Sequence, residues 1–66
     1  MKNSLKVHRA IHDLTQEDLA QKVGVSRQTI NAIEKDKYNP SLLVALKIAK
    51  LVNVNVEDIF TLEENE

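Results

Sequence analysis

The chain has 66 residues, room for one small domain, and a domain of that size withdraws only about 60% of its unfolded surface from water. It has no cysteine, which excludes disulfides and thiolate metal sites; Tyr38 and Phe60 are its only rings of that size, too few for a base-stacking single-strand binder. The net charge of −1 is unevenly spread: residues 1 to 50 carry nine Lys and Arg against five Asp and Glu, while residues 51 to 66 carry five acids and no Lys or Arg.

In chain order, a first helix is predicted from about Ser4 to His12, with Leu5 turned inward and Ser4 as its cap. A second starts at about Gln16. Thr15 supplies a capping hydroxyl there, and Glu17 and Asp18 place negative charge on the positive end of the helix dipole. Leu19 and Val23 lie one turn apart on its inner face, with Ala20 small enough to admit a neighbouring helix. Gly24, the one glycine of the chain, stands where this helix must stop, because glycine enters the left-handed region without a Cβ clash. Val25 then fills the corner and Ser26 caps a third helix over 27 to 35. Pro40 and Ser41 open a fourth that runs to about Val52. Asn55 with Asp58 resembles a capping pair for a short fifth helix ending near Phe60.

Stepping 100° per residue along the third helix puts Ile30 and Ile33 on the buried side. Gln28, Asn31, Ala32 and Lys35 fall around the other. Amides, a small apolar group and a cation suit a base-reading surface: an amide pairs with adenine N6 and N7, an arginine with guanine O6 and N7. Arg27 and Gln28 open the helix, at the end that enters the major groove in a helix-turn-helix. A merely solvated polar face is the alternative; the groove-reading one rests on a helix, turn and helix with matching caps and not on a lone motif. The negative total weighs less against nucleic acid than it first does, since phosphates respond to the local patch, but a surplus of four cations over residues 1 to 50 is small and predicts modest non-specific affinity with a shallow salt slope.

These residues carry a resemblance to the Cro/CI-type, or xenobiotic-response-element, family of repressor domains. The matching stretches are LKVHR (5 to 9), TQEDLAQKVGVSRQTINAIE (15 to 34), NPS (39 to 41), ALKIAKLVNV (45 to 54) and VEDIF (56 to 60), spanning Leu5 to Ile59. Within the family the chain is most similar to small stand-alone regulators of the cytolysin-repressor type. The resemblance implies an all-α, compact five-helix lambda-repressor-like fold and binding of double-stranded DNA as a homodimer on a two-fold operator. It also implies a buried pair of Arg9 and Glu34 joining the first and third helices. Asp13 and Asp36 stand where such domains often have glycine, a small expected stability cost given that aspartate tolerates the left-handed region. His8 replaces a usual aliphatic residue.

The expected reading is thus a single domain, residues 1 to 66, acting as a sequence-specific transcriptional regulator of repressor type. Arg27, Gln28, Asn31 and Ala32 are the candidate base readers; Gln16, Lys35, Lys37, Tyr38, Asn39 and Ser41 are the candidate phosphate contacts. Two other readings stay open: an antitoxin with the same DNA face and a protein toxin as partner, and a pure protein-interaction module.

A dimerisation segment is expected over about 51 to 62. On the fourth helix Leu42, Ala45, Leu46, Ile48, Ala49 and Val52 form one face toward the core, leaving Leu43, Val44 and Leu51 pointing elsewhere. Phe60 and Leu62 alternate about Thr61 as in a short strand. Leu51, Val54, Ile59, Phe60 and Leu62 are the candidate interface residues, with completion of the monomer core as the alternative for Ile59.

No metal, cofactor or catalytic role is expected. His8 and His12 share the i, i+4 spacing of a metal pair but lack a third ligand in the sequence. Ser4, Ser26 and Ser41 are each explained as caps, and no nucleophile, base and orienting group come together. No apolar run approaches the roughly 20 residues of a membrane span, and the N-terminal stretch lacks the apolar centre of a signal peptide. The cytoplasm is the expected compartment.

Overall fold

The computed structural model describes residues 1 to 66. Strand β1 (Lys2–Asn3) leads into α1 (Leu5–Ile11), α2 (Gln16–Val23), α3 (Arg27–Glu34), α4 (Leu42–Leu51), α5 (Val56–Ile59) and strand β2 (Phe60–Thr61). The strands pair antiparallel, Lys2 opposite Thr61 and Asn3 opposite Phe60, so both ends of the chain lie together. No helix is long and apolar enough to cross a membrane.

Local chemistry sets the helix starts. Thr15 Oγ1 accepts the Asp18 N–H (3.0 Å) while the Asp18 carboxylate accepts the Thr15 N–H (3.0 Å), a reciprocal box that satisfies two otherwise orphaned donors. Ser26 Oγ accepts the Thr29 N–H and Ser41 Oγ the Val44 N–H. Pro40 thus stands one residue outside the cap and not in the first turn. Ser4 departs from expectation. Its hydroxyl donates to the Asp58 carbonyl (3.2 Å), and Asn3 Oδ1 takes the Leu5 N–H instead. Gly24 ends α2 at φ +79°; space is not the constraint there, because an added Cβ would meet nothing within 4 Å. Asp13 (φ 56°) and Asp36 (φ 59°) occupy the same left-handed region, and so does Asn53 (φ 59°), which sequence reasoning missed.

Twelve residues form the core, all apolar. Leu5, Leu19, Val23, Ile30, Ile33, Ile48, Val52 and Ile59 are almost wholly buried, so each helix contributes. The fourth helix corrects the predicted face: Ala45, Ile48, Ala49 and Val52 are buried as expected, but Leu42 and Leu46 are exposed, while Val44 and Leu51 pack against the core. Burial concentrates toward the second half of α4, and Leu42, Leu43 and Leu46 stand clear of the body. Two candidate interface residues are likewise reassigned, since Ile59 (1% exposed) and Phe60 (8%) belong to the subunit's own core. Leu51 and Val54 are half-buried. The expected strand ends at Thr61, so Leu62 lies beyond it and exposed.

Both histidines pin α1 to the C-terminal segment. His8 Nε2 lies 3.3 Å from the Asp58 carbonyl oxygen and His12 Nε2 3.0 Å from that of Val52. A carbonyl only accepts, so in each ring the hydrogen sits on Nε2.

Candidate nucleic-acid interface

The reversal at Gly24 sets α3 across α2, with Ile30 and Ile33 turned onto Leu19, Ala20 and Val23 in one shared core. Once those apolar faces are buried, the polar side of α3 has to look outward. Arg27 and Gln28 are exposed at its first turn, and Asn31 and Ala32 are half-buried one turn on. Lys35 closes the helix; Lys37, Tyr38, Asn39 and Ser41 follow in an exposed loop that runs to the capped start of α4. No carboxylate lies in the first turn of α3. Its positive dipole end therefore keeps its full attraction for anions, and Arg27 adds a cation there.

One cluster ties this surface to the interior. Arg9 Nε donates to Glu34 Oε2 (2.8 Å) and Nη2 to Oε1 (3.3 Å), and Nη1 donates to the Leu14 carbonyl (2.9 Å). Glu34 also receives Gln16 Nε2 at 3.1 Å, and the same nitrogen stands 3.3 Å from Asn31 Oδ1. The sequence placed Gln16 and Asn31 separately, as a phosphate contact and a base reader; the structure brings them together. Glu34 was visible as half of an ion pair, but its second partner was not. The available signal was the i, i+3 spacing of Asn31 and Glu34, which puts both on the side of α3 facing the start of α2.

This engagement limits what Gln16 can offer. Its amide has two hydrogens, one directed to Glu34 and one to Asn31, and a phosphate oxygen only accepts. The Gln16 main-chain N–H, at the first position of α2, has no partner within the helix.

A helix-turn-helix family model matches residues 5 to 59. Over all 66 residues, and the whole of the relative, the chain is 67% identical to an uncharacterized HTH-type transcriptional regulator of Methanocaldococcus jannaschii. Among solved structures it is similar to the restriction-modification controller protein C.AhdI from Aeromonas hydrophila, with TM-score 0.76 and 30% identity over 85% of each chain. It is also similar to the N-terminal DNA-binding domain of SinR from Bacillus subtilis, with TM-score 0.73 and 28% identity over 80% of this chain and 78% of that one.

Proposed function

The chain belongs to the Cro/CI-type, or xenobiotic-response-element-type, helix-turn-helix family of DNA-binding transcriptional regulators, and from that premise we propose that it acts as a homodimeric repressor that lays α3 in the major groove of a two-fold operator. The carrying observation is the exposed start of α3, where Arg27 and Gln28 stand free of intramolecular partners beside a helix N-terminus without acids. Arg27 and Gln28 read base edges, and Asn31 and Ala32 meet the next base pairs. Lys35, Lys37, Tyr38, Asn39 and Ser41 border the phosphates. Gln16 joins them through its main-chain N–H, because its side chain is engaged inward. Residues 1 to 66 act as one unit, and repression follows from occupancy of the duplex.

Selection of bound sites from random duplex DNA tests this reading. The expected product is a palindrome whose half-sites lie about 10 base pairs apart, centre to centre. Recovery of sequences with no shared half-site, at salt low enough for binding, would count against it.

A further inference from the structure

We infer that Asn3 of β1 is a positioning residue for phosphate contact: it holds the Asp36 carboxylate off the duplex and so leaves Lys35 and Lys37 free for the DNA backbone. The inference rests on the assignment of those two lysines to phosphates. α3 ends in a Schellman turn, in which the Asp36 N–H donates to the Ile33 carbonyl (3.0 Å) and the Lys37 N–H to that of Ala32 (2.9 Å), with Asp36 in the left-handed region at φ 59°. Glycine is the usual residue at such a place, and it brings no charge. Here a carboxylate stands between two exposed cations, Lys35 and Lys37.

Asn3 Nδ2 donates one hydrogen to the Ile33 carbonyl (2.8 Å) and the other to Asp36 Oδ1 (2.9 Å), while its Oδ1 accepts the Leu5 N–H (3.1 Å). A carbonyl and a carboxylate only accept and a main-chain N–H only donates, so the three partners fix which end of the amide is nitrogen and use both its hydrogens. Ile33 lies on the buried side of α3, whereas Lys35, two residues on, falls near the opposite side at 100° per residue. The carboxylate, bonded to the same nitrogen as the Ile33 carbonyl, is thereby drawn toward the buried side. No ion pair joins it to Lys35 or Lys37. Once released, it would compete with phosphate for its two neighbouring cations, and its own charge would repel the duplex.

The test is a double-mutant cycle on a random-sequence duplex at low salt, read by fluorescence anisotropy, with folding followed by circular dichroism at the same temperature. Asn3→Ala should weaken binding about three- to tenfold, the effect of one negative charge per subunit brought near the phosphates in water. Asp36→Asn keeps an oxygen for Asn3 and tolerates the left-handed angle, so in wild type it should change affinity by less than about twofold. In Asn3→Ala the same substitution should restore the lost affinity. Asn3→Ser keeps an acceptor near the Leu5 N–H and removes the amide donor, and it repeats the cycle should Asn3→Ala not fold. An Asn3 that only caps α1 and braces α3 would lower the melting temperature without moving the affinity for DNA, and that outcome overturns the inference. A gain from Asp36→Asn of the same size in both backgrounds does so too. If Lys35→Ala and Lys37→Ala weaken binding while the cycle shows no coupling, this inference falls and the phosphate assignment stands. If neither lysine variant weakens it, both fall.

Discussion

Arg9 on α1 and Glu34 on α3 form a two-pronged ion pair, and both side chains are withdrawn from water, at 15% and 7% exposure. Exposed pairs are worth little, but these values put this one in the buried class, where removing one partner strands the other's charge. Glu34→Ala or Arg9→Ala should therefore cost about 3–5 kcal/mol, and the double replacement Arg9→Met with Glu34→Leu should cost less than either. Urea unfolding of the four proteins decides this. A double variant that unfolds as easily as, or more easily than, either single one would show that no stranded charge was at issue.

Base readers and phosphate contacts should respond differently to the same truncation. Arg27→Ala and Gln28→Ala are expected to lose about 1–3 kcal/mol on the operator, confined to one or two base pairs, with folding unaffected. Lys35→Ala and Lys37→Ala should weaken operator and random DNA alike and reduce the salt slope by about one unit each. Titrations across a salt series separate the two patterns. A uniform loss for Arg27→Ala, or a sequence-selective one for Lys37→Ala, would reverse the assignment.

The left-handed positions give a graded series. Gly24→Ala should destabilise by about 1–2 kcal/mol through conformation alone, since its Cβ would meet no neighbour. Asp13 holds the same kind of angle with no side-chain hydrogen bond, so Asp13→Gly should stabilise by up to about 1 kcal/mol. Asp36 differs because its Oδ1 accepts from Asn3 Nδ2 at 2.9 Å, and Asp36→Gly should gain less than Asp13→Gly or nothing. For a domain of this size about 1 kcal/mol moves the melting temperature by roughly 4–8 °C, well within calorimetric resolution. Equal gains at Asp13 and Asp36 would show that the Asn3 bond contributes nothing.

Acid should weaken the start of α2. The Thr15 N–H donates to the Asp18 carboxylate and holds its pKa below the usual carboxylate range, with the Thr15 side chain and Lys22 acting in the same direction. A depressed folded-state pKa stabilises above the unfolded-state value, and the contribution is lost as pH falls through the folded-state value. Asp18→Asn should thus melt below wild type near neutrality, and the gap should close in acid. A gap that persists at a pH where Asp18 is protonated would locate the effect elsewhere.

Much of α2, α3 and their junction was legible because each boundary is written in adjacent residues: Thr15 with Asp18, Gly24, then Ser26. The core face of α4 was not, because a helical step tells which residues share a face but not how much of that face neighbours cover. Leu42 and Leu46 fall beside the stripe of Ala45 and Ala49, yet both are exposed while the two alanines are buried. Strand β1 is two residues long and its partner lies at the other end of the chain, so no local pattern announced it. The amide cluster of Gln16, Asn31 and Glu34 draws on α2 and α3, and its anchor Arg9 on α1. Spacing within one helix showed only the pair on α3.

Dimerisation is expected through the C-terminal third, and burial within the subunit narrows the residues that can carry it. Ile59 and Phe60 fill the monomer core, so Phe60→Ala should unfold the chain by about 3–5 kcal/mol and would say nothing about assembly. Leu62 is 71% exposed, while half-buried Leu51 and Val54 retain open surface near the end of α4. A second exposed apolar surface competes with these: Leu42, Leu43 and Leu46 on the first turns of α4. The longest dimension of the subunit is 32 Å, and half-sites one turn of DNA apart require about 34 Å between reading helices. Sedimentation equilibrium at micromolar concentration should return a dimer for wild type and Leu46→Ser. Leu62→Glu should yield a folded monomer with weakened operator binding. Dissociation by Leu46→Ser and not by Leu62→Glu would move the interface to the first turns of α4, and a monomeric wild type would remove the dimer while leaving the reading surface of α3 in place.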